Sequence, residues 1–130
     1  MDLSAMTHAL KSEVNVYGEL TIYSVRGDIL YEGKPEGYPV ERAQVYENEH
    51  VIVLLKHWKR EKDYGAFENL LLLGSDGAPV WHAELPKTTS GEAYVRFEVI
   101  GGKLFANSWS CYRVEISMRT GKIVQSEFTK

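Results

Sequence analysis

The residues with most reach into chemistry are four histidines, His8, His50, His57 and His82, and one cysteine, Cys111. A zinc site needs three or four ligands, usually at short spacings. A nucleophilic thiol needs a base beside it and a group that lowers its pKa. Neither pattern is present. His50 and His57 stand an odd number of positions apart, so on one strand they face opposite ways. There is no His-x-His or His-Glu-x-x-His run. Cys111 has no Gly-rich elbow or helix N-terminus around it and reads as structural. Ser108 and Ser110 flank Trp109 outside any Gly-x-Ser-x-Gly context. No two carboxylates share a spacing that fixes an acid and a base together. Gly101-Gly102 reads as a hairpin turn, and no phosphate-binding loop occurs. The expectation is a protein that is not an enzyme and takes no metal or cofactor.

Two clusters suit binding instead. In the first, His57, Trp58 and Tyr64 surround Lys59, Arg60 and Lys62. Aromatics beside Arg are what interface anchors are made of, so His57, Trp58, Arg60 and Tyr64 are the candidate partner-binding residues. In the second, Trp109, Cys111 and Tyr112 lie within residues 108–112. They are the candidate lining of a small-ligand pocket.

These clusters need a frame, and composition bounds it. The 130 residues fit one domain, residues 1–130. Hydrophobic residues make up 44% and charged residues 25%, as in soluble globular chains. Eight Tyr and three Trp favour strands. A net charge of −3 gives no general attraction to nucleic acid. One cysteine forbids an internal disulfide and suits a reducing compartment. The first residues lack the apolar core of a signal peptide, and no apolar run reaches membrane-span length. Cytoplasm is the expected location, with no membrane partner.

Residues 4–13 predict either a short helix, with Ser4 as N-cap, or a loose arm. From Val14 onward the pattern is that of strands. Val14, Val16, Leu20 and Ile22 alternate with polar neighbours, and Gly18 interrupts them. Arg26-Gly27 turns the chain into a returning strand over residues 28–32. Residues 33–39, with two Pro and two Gly, form a loop. Residues 40–46 predict an outer strand, because neither of its faces is cleanly apolar. Residues 50–55 form a continuous apolar run, as in a buried central strand. The charged stretch 56–67 is a loop or hairpin end. Strands follow at residues 69–73 and 79–84. In the last third, Val95, Phe97 and Val99 alternate with Arg96 and Glu98. The Gly101-Gly102 turn follows, then strands through Trp109, through Tyr112 to Ile116, and over residues 122–128.

Three turns align. Gly27 is followed four residues on by Tyr31, Gly77 by Trp81, and Gly121 by Gln125. The glycines lie 50 and 44 residues apart, within the roughly 40 to 50 residues of a four-stranded propeller blade. Residues 74–81 and 115–124 resemble the repeats of quinoprotein-type (PQQ-like) β-propellers. In that family an Asp, a turn ending in Gly and a Trp four residues on are typical. Here only the second unit has the Trp and the Asp. The resemblance covers about two-thirds of the chain. It implies an all-β antiparallel meander of roughly ten strands in two and a half propeller-blade-like units. Two and a half units cannot close a ring, which takes at least about four blades. That leaves an open meander, a packed sandwich, or part of an oligomeric ring formed by a homo-oligomer. A quinone cofactor is not implied, because it needs a complete ring with its central site.

The leading expectation is a small interaction module whose partner is another protein, with an immunity protein that covers a toxin as one specific form. The alternative is a small-ligand binder or enzyme that uses Trp109, Cys111 and Tyr112.

Overall fold

The computed structural model describes residues 10–56, 65–88 and 91–129. The chain forms eleven strands: β1 Lys11–Val14, β2 Leu20–Tyr23, β3 Ile29–Gly33, β4 Val40–Tyr46, β5 His50–Leu55, β6 Leu70–Gly74, β7 Pro79–His82, β8 Tyr94–Ile100, β9 Lys103–Ser108, β10 Tyr112–Ile116 and β11 Ile123–Phe128. They pair antiparallel in three sheets taken in chain order: β1–β3, β4–β7 and β8–β11.

The predicted helix does not extend over its described part. Lys11 to Glu13 belong to β1, where Ser12 pairs with Ile22 and Val14 with Leu20. A short helix is marginal in water, and pairing onto β2 satisfies the same backbone groups while Val14 packs on a core. The rest of that helix, residues 4–9, lies outside the described residues. Val16, read as part of a strand, is exposed in the turn between β1 and β2. Gly18 shapes that turn at a φ of +80°, and a side chain there would strike Pro39. The half unit is thus three strands, and the other two units have four each.

The middle sheet explains the apolar runs. Val51, Val53, Leu55, Leu71 and Leu73 bury one face against Leu20 and Ile22 of the first sheet. Ile52, Leu54, Leu70 and Leu72 bury the other against Phe97, Leu104, Ala106, Val114 and Ile116 of the third. A sheet covered on both faces loses its alternation and reads as continuous hydrophobe. The outer sheets bury one side only. On the outward face of the third, Arg113 hydrogen-bonds Glu98 and Asn107 and lies 5.0 Å over the Phe105 ring. Arg96 donates to the same Asn107 oxygen at 3.2 Å.

The repeat is visible in the backbone. The Gly27 and Gly77 amides donate to Ser24 and Gly74 oxygens at 2.9 Å, and the Gly121 amide to Ser117 oxygen at 2.8 Å. Each returning strand then carries one extra residue as a bulge: Leu30, Val80 and Val124. The bulge sits immediately before Tyr31, Trp81 and Gln125, and bulges re-aim the side chains beside them. Tyr31 lies against Gly77 of the next sheet, and Trp81 against Gly121.

Candidate functional site

The connection from β9 to β10, residues 109–111, brings the second candidate cluster to one end of the third sheet. The Trp109 amide donates to Ala93 oxygen at 2.8 Å. Cys111 takes a φ of +69°, uncommon for a residue with a side chain, and its amide donates to Ser108 oxygen. Ser108 Oγ accepts from the Tyr112 amide at 3.2 Å. The backbone oxygen of Cys111 accepts two bonds from Thr129, at 2.7 Å from its amide and 2.9 Å from its hydroxyl. The tail after β11 is thereby tied to this loop.

Beneath the loop lies Glu92, only 2% exposed. Its Oε1 accepts from the Ala93 and Ser110 amides at 3.2 and 3.1 Å, and Oε2 has no partner among the described residues. Its backbone oxygen accepts from the Phe67 amide at 2.8 Å. The carboxylate therefore holds the loop from below. Asn69, fully buried nearby, donates to Leu55 and Tyr94 oxygens and accepts from the Tyr94 amide. The Tyr94 hydroxyl donates to Glu84 oxygen. Burial pushes the Tyr94 phenol well above its ordinary range, with Glu92, Glu84 and Glu68 adding to the shift. These hydrogen bonds tie the second and third sheets together at this end and form a platform.

On that platform Trp109 is 66% exposed and Phe128 57% exposed. The Tyr112 ring packs edge-on against Phe128, with centroids 5.4 Å apart. Trp109, Cys111 and Tyr112 share one end of the sheet, with Cys111 exposed. Of the histidines, His50 stands at the turn end of β5, and His82 Nε2 meets Glu36 at 2.7 Å. Neither sits with Cys111 or the flanking serines. The other candidate cluster, His57, Trp58, Arg60 and Tyr64, lies outside the described residues. Among the described residues no three His, Cys, Asp or Glu come together to hold a metal, and no helix is long and apolar enough to cross a membrane.

Sequence reasoning missed Phe128 and Glu92 in this assembly. Phe128 closes the alternation of the last strand and looked like a strand residue only. Glu92 sits in a Ser-Gly-Glu loop whose composition reads as solvent-exposed, so nothing local signals its burial.

Residues 37–128, 92 of the 130, match the family described as Domain of unknown function (DUF7957). No curated protein matches the chain. Among solved structures it resembles the computationally designed Ika8 protein, at a TM-score of 0.59 and 12% identity over 93% of this chain and 34% of that one. It also resembles BamB from Moraxella catarrhalis, a PQQ-like β-propeller, at a TM-score of 0.56 and 16% identity over 86% and 30%. The designed Ika4 protein gives a TM-score of 0.60 and 12% identity over 93% and 68%. The chain spans about a third of the length of Ika8 and of BamB. The likeness establishes the fold: three antiparallel sheets arranged like propeller blades.

Proposed function

The chain belongs to the family described as Domain of unknown function (DUF7957), and from that footing we propose that it is a small non-enzymatic module that binds another protein. The observation that carries this reading is the pair of exposed aromatics, Trp109 and Phe128, on one end of the third sheet. Large aromatic side chains anchor interfaces because they bury much area for little lost rotamer freedom. They stand on a platform held by Glu92, Asn69 and the Thr129 bonds, so little ordering remains to be done on binding. An immunity-type inhibitor, which covers the active site of a toxin, is one form of such a module, and an exposed aromatic end suits it.

The test is site-specific crosslinking. A photoreactive amino acid is placed at position 109, and another at exposed Val124 on the outer strand as the control. A single protein crosslinked from 109 and not from 124 supports the reading. The double change Trp109→Ser and Phe128→Ser should then weaken binding of that protein by roughly 30-fold or more, while the protein stays folded and loses only the roughly 0.5–1.5 kcal/mol of the Tyr112–Phe128 ring contact. Equal crosslinking from both positions, or full binding by the double variant, overturns it.

A further inference from the structure

A second site lies at the opposite end of the sheets and is independent of the interaction surface. A groove of about 340 Å³ opens between the second and third sheets. Its apolar lining is Leu72, Val80 and Met118, and its polar lining is Tyr46, Glu47, His50 and Arg119.

Two departures from the repeat build this groove. The first is in the turn between β10 and β11. The Ser24 and Gly74 amides close their turns onto Asp28 and Ala78 oxygens, four residues on; Ser117 reaches Lys122, five residues on. The longer turn carries Met118 and Arg119, and the Trp81 indole pins it by donating to Met118 oxygen at 2.8 Å. Arg119 makes no ion pair or hydrogen bond among the described residues.

The second departure is in the turn between β4 and β5. Glu47 and Asn48 take φ values of +52° and +57°. The matching turn of the third sheet uses Gly101 and Gly102 for the same left-handed backbone. Asn tolerates that conformation, but Glu does so at a cost that Gly would remove. A strained residue at the wall of a groove points to a role for its side chain. Glu47 thus brings a carboxylate to a groove that also holds an unpaired guanidinium and an apolar floor.

We propose that this groove binds a small zwitterion with an apolar side chain, the chemistry of a free aliphatic or aromatic amino acid. Glu47 takes the ammonium group, Arg119 the carboxylate, and Leu72, Val80 and Met118 the side chain. The volume is that of a small-molecule site.

The experiment titrates the whole protein with L-leucine and with L-phenylalanine by calorimetry, following Trp fluorescence in parallel because Trp81 holds the groove wall. The expected result is saturable binding of at least one, with a dissociation constant below about 1 mM. Leucinamide and N-acetyl-leucine, each lacking one charge, should bind at least about tenfold more weakly, as should wild-type ligands to Arg119→Gln. Glu47→Gly is the separating variant: it should weaken binding by a similar factor and raise the melting temperature, because it relieves the backbone. No saturation by either amino acid up to about 10 mM overturns the proposal. So does unchanged affinity in Arg119→Gln and Glu47→Gly.

Discussion

The indole of Trp81 occupies the space that a β-carbon on Gly121 would need: such an atom would lie 2.8 Å from Cδ2. The Tyr31 ring stands in the same relation to Gly77, where the nearest approach would be 2.1 Å. In each case an aromatic from one sheet covers the turn glycine of the next. Around Gly27, the first turn glycine, nothing lies within 4 Å of an added β-carbon.

That difference separates two costs that usually travel together. All three glycines have positive φ, so alanine strains each by about 1–2 kcal/mol. At Gly77 and Gly121 the added methyl must also displace a packed ring, which costs about 1–3 kcal/mol more. Gly27→Ala should therefore lower unfolding free energy by about 1 kcal/mol, and Gly77→Ala and Gly121→Ala by about 3 kcal/mol. Urea denaturation of the three variants measures this. Equal losses at all three positions would mean that the rings do not hold the sheets together.

Asn69 joins the second and third sheets at the other end. It is fully buried, and its three hydrogen bonds go to backbone groups of Leu55 and Tyr94. Asn69→Ala leaves a buried amide and two carbonyl oxygens short of partners, each worth about 1–3 kcal/mol when unsatisfied. The expected loss is about 3 kcal/mol or more. Asn69→Asp should be no better, because it keeps the acceptor for the Tyr94 amide but replaces the one nitrogen that donates both bonds with an oxygen facing the two carbonyls. Chemical denaturation of both variants checks this, and a stable aspartate variant would contradict it.

The parts of this fold legible in the sequence are those written by local chemistry. Gly27, Gly77 and Gly121 mark turns because positive φ excludes most residues. The runs at β5 and β6 are apolar because both faces of that sheet are covered, and the alternation of β8 to β10 reflects a sheet covered on one face. What stayed hidden depends on contacts between sheets. Lys11 to Glu13 carry a helix-like composition, and only β2 beside them makes a strand. Glu92 looks exposed until the Ser110 amide is seen to fold over it. Glu47 and Arg119 are some seventy residues apart, and no spacing rule joins two turns of different sheets.

The outward faces of the first and third sheets decide whether copies of the chain stack. The middle sheet is apolar on both sides, whereas the third turns Arg96, Glu98, Asn107 and Arg113 outward in one hydrogen-bonded network. On the first sheet, Lys11 and Glu13 are exposed, and the Tyr23 hydroxyl donates to Glu13. Gln125 stands where the other units place a ring. Polar outer faces are how stacked repeats cap their ends. Light scattering at about 100 μM should therefore give the monomer mass of 14.8 kDa. A concentration-dependent rise toward a ring-sized assembly would show that these faces pack after all.

Tyr94 ties the stability of the fold to alkaline pH. Its phenol is buried beside Glu92 and Glu84, and its folded pKa is raised above the unfolded value of 10.0. Below pH 10 both states hold the proton, so the contribution to stability is fully present. Above pH 10 the unfolded chain releases the proton first and the folded chain retains it. The unfolded state then binds fewer protons, and stability falls as pH rises toward the folded pKa. Lysines and other tyrosines titrate in the same window, so the informative quantity is a difference. Tyr94→Phe removes both the titrating group and its bond to Glu84 oxygen. At pH 8 the variant should be less stable by about 1 kcal/mol, the worth of one hydrogen bond. Between pH 10 and 11 that gap should close, because only the wild type is then losing the Tyr94 contribution. Urea midpoints at pH 8, 10 and 11 measure it. A gap that stays constant across the three would mean that Tyr94 titrates alike in both states and that its burial does not govern alkaline stability.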